Sequence, residues 1–234
     1  MALDSVNELF SCIKKTNSPL IAGIDEAGRG PAIGPMVYGL YVASPGEKTN
    51  FRDSKLLSPE KREYFFKGMD KNYSYYKIDP VYITTHMEAG SMNLNQIAKE
   101  AVIKLLKDLL TRCPNIKTVY IDGLGNNEAY KAELKKHFTL DFVIENKADS
   151  KYQVVSGASI VAKVIRDRCV EPLGCGSGYP SDPITQKWLI EHSKKSVEFP
   201  KFVRHSWATI KNFFPIKKSR KFEGSLNGFY TGKE

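Results

Sequence analysis

Two adjacent acids, Asp25 and Glu26, come directly after a short apolar run and directly before a loop rich in glycine and proline. The stretch from Gly23 reads GIDEAGRGPAIGP. The preceding residues, PLIAGI, predict a β-strand, and the glycines permit the tight turn that follows. Regular alternation turns neighbouring side chains to opposite faces of a sheet, but we expect the strand to end here and the loop to redirect one acid. Taken alone, such a pair is also explained by a solvated turn.

Two further aspartates have a similar setting. Asp122 closes the strand-like run TVYID and precedes Gly-Leu-Gly, and Asp149 follows the run DFVIENKA. Ligand sites of mixed α/β sheets gather at strand ends, so these acids and Asp25 are predicted to converge. Clustered carboxylates repel one another unless a cation lies between them, and oxygen ligands favour Mg²⁺ or Mn²⁺. The pattern predicts a two-metal site for displacement at phosphorus, while three unrelated turn aspartates remain the alternative.

Strands and helices alternate early in the chain, and helices dominate late, which predicts an α/β fold. The predicted strands are 19–25, 36–43, 73–80, 117–122 and 141–146. Apolar residues recurring every three to four positions predict a long amphipathic helix over 93–111. Further helices are predicted at 127–137, 156–171, 183–194 and 203–213.

The composition is that of a globular protein with a basic surface. The chain has 234 residues, 41% of them hydrophobic, and a formal net charge of +9, much of it in residues 201–234. An excess of positive charge suits an anionic partner such as nucleic acid. The four cysteines lack paired CxxC spacing, and no apolar run is long enough to span a membrane. We therefore expect reduced thiols in an intracellular protein without a signal peptide or anchor.

Seven motifs occur in an order that resembles type 2 ribonuclease H, the ribonuclease HII family, and most of all the catalytic subunits of its eukaryotic members. The resemblance covers about residues 19–213. Besides GIDEAGRGPAIGP, the motifs are DSKLLS at 53–58, NLN at 93–95, IDGLG at 121–125, NKADS with VVSGASIVAKVIRDR within 146–168, GSGYPSDP at 176–183 and FPKFVRHSW at 199–207.

This resemblance implies a fold, a reaction and a set of catalytic acids. The fold is an α/β, ribonuclease H-like mixed β-sheet flanked by helices, over 19–172, with a C-terminal helical region at 173–216, an N-terminal extension at 1–18 and a basic tail at 217–234. The reaction is hydrolysis of RNA in RNA–DNA hybrids and at single ribonucleotides in duplex DNA, leaving 5′-phosphate and 3′-hydroxyl ends. The implied catalytic residues and ligands of two Mg²⁺ or Mn²⁺ ions are Asp25, Glu26, Asp122 and Asp149.

The resemblance also implies how substrate is recognised. The backbone of Gly28, Arg29 and Gly30 approaches the ribose 2′-hydroxyl, because only glycine lets main chain come so near a sugar. Tyr179 packs against the ribonucleotide sugar. Further expected contacts to phosphate or sugar are Lys55, Asn93, Asn95, Lys147, Lys163 and Arg166. Helix capping by the asparagines and solvation of the basic side chains remain alternatives, and Asp167 is expected to form ion pairs rather than to catalyse.

The basic tail suggests a partner. The segment EGSLNGFY at 223–230 resembles a sliding-clamp-binding peptide, with Leu226, Phe229 and Tyr230 as anchors and Glu223 in place of glutamine. A tail that folds back on the chain is the alternative. Eukaryotic members of the family work as heterotrimers with two accessory subunits, so a subunit that is silent without partners also stays open, as does a non-catalytic nucleic-acid-binding protein. A eukaryotic source would imply the nucleus, with roles in replication and ribonucleotide removal, and another source the cytoplasm.

Overall fold

The computed structural model describes residues 7–49, 51, 57–196 and 198–213. The predicted substrate contact Lys55, the predicted tail at 217–234 and the predicted clamp anchors Leu226, Phe229 and Tyr230 lie outside these residues.

A six-stranded mixed sheet forms the centre of the molecule, in the order β1-β4-β3-β2-β5-β6. The strands are β1 Glu8–Ser11, β2 Ile21–Ala27, β3 Met36–Ala43, β4 Tyr73–Ile78, β5 Thr118–Asp122 and β6 Asp141–Glu145. The pairs from β1 to β2 are antiparallel, whereas β5 lies parallel to both β2 and β6. The five predicted strands are all present, and β1 adds an edge strand from the segment predicted as an N-terminal extension.

Eight α-helices surround the sheet in the part of the chain that the structure describes. They are α1 Pro59–Lys67, α2 Pro80–Glu88, α3 Leu94–Arg112, α4 Asn127–Lys135, α5 Ala148–Lys151, α6 Gln153–Val170, α7 Pro183–Lys195 and α8 Ala208–Lys211. Side chains of Ser58, Asp79 and Asn93 cap the first turns of α1, α2 and α3. The mixed sheet with helices on both sides confirms the predicted fold class.

Helices pack on both faces of the sheet, and one packs unusually close. Apolar residues of α2, α3 and α4 cover one face, while α6 and α1 cover the other. A Cβ atom on Gly23 of β2 would lie 2.2 Å from the Val154 carbonyl, and one on Gly39 of β3 would lie 2.3 Å from the Ala158 carbonyl oxygen. These two glycines therefore let the backbone of α6 rest on the strands, which holds that helix beside the end of β2.

The helix predicted over 203–213 is wrong for its first half. Only Ala208–Lys211 is helical, whereas Val203 forms a bridge to Ile33 and the backbone N–H of Arg204 donates to the Ala32 carbonyl. Tertiary hydrogen bonds to the 28–34 loop therefore replace the local bonds of a helix. This segment packs with α7 around a smaller apolar cluster. Of the helices in the described ranges, none is at once long and apolar enough to cross a membrane.

The surroundings of the predicted acids also differ in detail from expectation. The strand β2 does not end at Asp25 and Glu26 but continues to Ala27. Asp149 does not end a strand, because β6 stops at Glu145 and the acid lies in the short helix α5. The helices α1, α2 and α5 were not predicted.

Candidate active site

A cavity of about 570 Å³ opens at the end of β2 where the predicted acids lie. It has an acidic wall from the sheet, a glycine loop, and a basic wall from α1 and α6. The residues that line it are Asp25, Glu26, Ala27, Gly28, Arg29, Gly30, Arg62, Asp122, Lys163, Arg166, Asp167, Ser177 and Tyr179. The structure thus gathers residues that lie up to about 150 positions apart in the sequence.

Asp25 is a buried acid, with 6% of its surface exposed, opposite Gly39 in the neighbouring strand. Its Oδ1 atom accepts a hydrogen bond of 2.7 Å from the Glu26 backbone N–H. Burial raises the pKa of Asp25, a hydrogen bond with Ser159 lowers it, and the negative charges of Asp122 and Asp149 raise it further. The charged form of Asp25 is therefore costly in the protein without a cation.

Glu26 follows in the same strand and lies opposite Tyr38. Burial raises the pKa of Glu26 most strongly, and repulsion from Asp25 adds to this rise. The positive charge of Arg29 lowers the pKa of Glu26 and offsets part of the shift. A buried acid and its half-buried neighbour thus share one unfavourable electrostatic environment, which is typical of functional sites.

Asp122 ends β5, the strand beside β2 in the sheet, and Asp149 lies in the short helix α5 after β6. The parallel register pairs Ile24 with Ile121, so Asp25 and Asp122 are the next residues along adjacent strands. The Oδ1 atom of Asp122 accepts a hydrogen bond of 2.8 Å from the Ala148 backbone N–H. Asp149 is buried beside these acids rather than on the cavity surface. The structure therefore brings the four predicted acids to one end of the sheet.

The acids fit a hard divalent cation by their chemistry. Every donor is a carboxylate oxygen, the ligand type that Mg²⁺ and Mn²⁺ prefer, and their mutual repulsion is what a cation would relieve. Across the described residues, no three His, Cys, Asp or Glu side chains already form a metal-binding group. The acids thus lie close enough to shift each other's pKa values, but their oxygens are not arranged around a common point as they would be around a metal ion.

The glycine loop forms the rim of the cavity next to the acids. Gly28 has a φ of 81°, and a Cβ atom there would lie 2.5 Å from the Pro35 carbonyl oxygen, so no other residue fits without displacement. A Cβ atom on Gly30 would lie 3.5 Å from the Tyr179 ring. Arg29 donates to the side chain of Asn95 at the start of α3. The loop and Tyr179 therefore face each other across a gap that stays open because residue 30 lacks a side chain.

Tyr179 is partly exposed, and Arg166 lies beneath it. The Arg166 guanidinium lies 5.5 Å from the centre of the Tyr179 ring, and it donates to the Ser177 carbonyl. Arg166 is 6% exposed. We interpret its contacts as support for the tyrosine and its loop, in addition to the predicted approach to substrate.

The basic wall contains one residue that the sequence did not reveal. Arg62 of α1 lines the cavity beside Lys163 of α6, and it pairs with Asp167 at 3.2 Å. Asp167 also pairs with Arg166, which agrees with the expected ion-pair role. Arg62 was missed because α1 was not predicted, and no local pattern links it to α6, about 100 positions away.

Three other predicted substrate contacts, Asn93, Asn95 and Lys147, lie outside the cavity lining. Asn93 caps α3, since its Oδ1 accepts from the Gln96 backbone N–H at 3.0 Å. Asn95 reaches the glycine loop through Arg29. Lys147 has a φ of 59°, the left-handed conformation, directly before the helix that carries Asp149.

Comparisons with known proteins agree on one family. The family model described as ribonuclease HII matches residues 22–210. A ribonuclease H2 subunit from Arabidopsis thaliana is 40% identical over 215 residues, which cover 82% of this chain and 73% of that protein. The range that the family model matches includes every segment that contributes to the cavity.

Solved structures of related proteins match a similar share of this chain. The ribonuclease H2 of Pyrococcus horikoshii has a TM-score of 0.73 and 34% identity, covering 83% of this chain and 96% of that one. A ribonuclease HII of Archaeoglobus fulgidus, solved as a complex with PCNA, has a TM-score of 0.69 and 33% identity, covering 80% and 95%. Because the family model spans most of the chain and both fold and sequence agree, this protein belongs to the ribonuclease HII family of type 2 ribonucleases H.

Proposed function

We propose that this chain hydrolyses the RNA strand of RNA–DNA hybrids and cuts on the 5′ side of single ribonucleotides embedded in duplex DNA. The observation that carries the proposal is the shared cavity. Two acids with raised pKa values, the buried Asp25 and the half-buried Glu26, line it together with a glycine loop and Tyr179. Acids alone would suit many phosphodiesterases, whereas the loop and the tyrosine add a means of reading the sugar.

The acidic wall supplies the catalytic centre of this proposal. Asp25, Glu26, Asp122 and Asp149 would hold two Mg²⁺ or Mn²⁺ ions. Two such ions would supply the means to activate a water and to stabilise the leaving oxygen, and the expected ends are 5′-phosphate and 3′-hydroxyl. The hydrogen bond from Ala148 N–H to Asp122 fixes the orientation of one carboxylate, so that less rearrangement is needed on binding.

The glycine loop and the basic wall select and hold the substrate. The backbone of residues 28–30 can approach a ribose closely because Gly28 and Gly30 have no side chain, and a 2′-hydroxyl distinguishes RNA from DNA. Tyr179 lies across the gap and packs against the same sugar. Lys163 and Arg62 on the basic wall contact the phosphates, which contributes affinity without sequence preference.

The experiment that tests this function compares four end-labelled substrates with Mg²⁺ present. The substrates are duplex DNA with one ribonucleotide, all-DNA duplex, an RNA–DNA hybrid and single-stranded RNA. We expect cleavage of the first and third only, lost in Asp122→Asn and retained in Asp141→Asn, an exposed acid at the start of β6. Cleavage of the all-DNA duplex, or full activity in Asp122→Asn, would contradict the proposal.

Partner proteins belong to the same proposal. The tail peptide at 223–230 is proposed to bind a sliding clamp, supported by its residue pattern and by the relative solved with PCNA. Binding of a 217–234 peptide to the cognate clamp, lost on Phe229→Ala, is the expected result. Two accessory subunits are proposed as well. Cleavage that begins only after they are added would assign this chain as the catalytic subunit of a larger assembly.

A further inference from the structure

The glycine loop is attached from behind by the segment 202–207. Arg204 donates to three carbonyls of the loop, at 2.5 Å to Gly28, 3.2 Å to Arg29 and 2.9 Å to Gly34. The Nε1–H of Trp207 donates to the Gly30 carbonyl at 3.1 Å. The three successive carbonyls of residues 28–30 therefore all point at this one segment.

These contacts fix the direction of the loop amides. The C=O and the following N–H of a trans peptide point in opposite directions, because the peptide unit is planar. Arg204 is fully buried, and neither it nor Trp207 lines the cavity, whereas residues 28–30 do. The carbonyls of Gly28 and Arg29 thus point away from the cavity. It follows that the N–H groups of Arg29 and Gly30 point toward it.

The glycine loop also connects the segment 202–207 to the loop that carries Tyr179. The N–H groups of Ala32 and Ile33 both donate to the Gly178 carbonyl, at 2.9 and 3.3 Å. The N–H of Arg204 donates to the Ala32 carbonyl at 2.8 Å. One hydrogen-bonded unit therefore sets both sides of the gap between Gly30 and Tyr179.

We propose that Arg204 and Trp207 are positioning residues for ribose selectivity. Arg204 orients the N–H groups of Arg29 and Gly30 toward the substrate sugar through the carbonyls of the same peptides. Trp207 fixes the position of Gly30 through its carbonyl, whose peptide continues into Pro31 and carries no N–H. This inference rests on the proposed function. A 2′-hydroxyl is an acceptor that such an N–H can reach, and a deoxyribose offers none at that position. Arg204 keeps its charge buried against carbonyl oxygens instead of a carboxylate, an arrangement suited to orienting peptide groups.

The test substitutes each of the two tryptophans of the chain in turn. Trp207→Phe removes the donor to Gly30 and keeps an aromatic ring. Trp188→Phe is the matched control, because Trp188 packs on the rings of His192, Phe199 and Phe202 and, among the described residues, makes no hydrogen bond to the glycine loop. The measured quantity is the ratio of the Kd for all-DNA duplex to the Kd for the same duplex with one ribonucleotide. Circular dichroism and melting temperature check the fold of each variant.

We expect the Kd ratio to fall by about threefold to tenfold in Trp207→Phe, as for one hydrogen bond, while binding of all-DNA duplex stays constant. Trp188→Phe should keep the ratio of the natural chain. Arg204→Lys, which retains charge but not the planar guanidinium, should lower kcat/KM on the ribonucleotide substrate at least as far, provided that it folds.

Three results would overturn the inference, and they are distinguishable. An unchanged Kd ratio in a folded Trp207→Phe would show that the loop does not need this donor, although the proposed function would stand. A natural chain that binds both duplexes equally and cuts neither would remove the proposed function, and this inference with it. An equal loss on all-DNA duplex in Trp207→Phe would also overturn it, because the residue would then act on general binding.

Discussion

Two buried charges lie on either side of the glycine loop, and their surroundings are opposite. Arg204 is fully buried, and its nitrogens donate to carbonyl oxygens of Gly28, Arg29 and Gly34. Asp25 is almost as deeply buried, but Asp122 and Asp149 place further negative charge beside it. The three hydrogen bonds offset part of the cost of the first buried charge, although burial and the nearby charge of Arg166 lower the pKa of Arg204 to about 9. The second charge lies among like charges.

The difference separates a structural role from a site that needs a ligand. Burial of a charge is tolerated when fixed dipoles replace water, as the loop carbonyls do for Arg204. Around Asp25, one hydrogen bond from a backbone N–H and one with Ser159 do not cancel the effect of burial and of neighbouring acids. A cation would cancel it, so the unfavourable region is where binding and chemistry are expected.

Loss of catalysis is the largest effect that this comparison predicts. Asp25→Asn should lower kcat/KM on a hybrid substrate by at least about 100-fold, because a metal ligand is worth several kcal/mol in the transition state. Single-turnover cleavage of a labelled hybrid measures it. Asp167→Asn, which changes an acid on the same cavity outside the acidic wall, serves as the control and should retain most of the activity. Comparable losses in both variants would contradict the distinction.

Loss of folding stability is the matching effect on the other side of the loop. Arg204→Met should lower the free energy of unfolding by about 3 kcal/mol, because it leaves buried carbonyl oxygens without donors. For a chain of this size, that corresponds to a fall in Tm of roughly 6–12 °C. Calorimetry measures the shift. Arg168→Met, at an exposed ion pair with Glu63, should change stability far less, and equal effects would refute the structural role of Arg204.

The pH dependence of stability should reveal the repulsion among the acids. The pKa of Asp25 is raised from 3.8 to about 7 in the folded protein, so the folded state holds more protons than the unfolded state between these values. Stability of the metal-free protein should therefore fall as the pH rises from about 4 to 7. Asp25→Asn does not titrate, so its Tm at pH 8 should exceed that of the natural chain by at least about 2–4 °C.

Two measurements check this pH prediction. The difference in Tm between Asp25→Asn and the natural chain should vanish at pH 4, where the carboxyl is protonated in the folded state. Mg²⁺ should raise the Tm of the natural chain at pH 8 more than that of the variant. A pH-independent difference, or an Asn variant that is less stable at pH 8, would show that Asp25 is not under electrostatic strain.

The basic wall should give the smallest of these effects. Lys163→Gln should weaken binding of hybrid and DNA duplex alike by a few fold and reduce the slope of log K against log salt by about 1, because it removes one phosphate contact. Lys187→Gln, at an exposed lysine of α7, is the matched control. Binding titrations at several salt concentrations measure the slope. An unchanged slope in Lys163→Gln would place this lysine outside the nucleic-acid path.

The strand-end acids were predictable because they depend on short, local patterns. An apolar run ending in Asp25, and another ending in Asp122, mark strands whose ends meet in a parallel sheet. Arg62 had no such pattern, and it reaches the cavity only because α1 packs beside α6. Residues 203–207 read as a helix by periodicity, yet bonds to the 28–34 loop override that local preference.

The sequence by itself indicated five of the six strands, the helices α3, α4, α6 and α7, the four acids and the glycine loop. Each of these depends on neighbouring residues, such as an apolar alternation, a capping side chain or a glycine in a turn. Only the tertiary structure decided how deeply Asp25 and Arg204 are buried, which carbonyls Arg204 receives and which way the loop amides point. Those properties arise from contacts between segments about 170 positions apart, which no local pattern encodes.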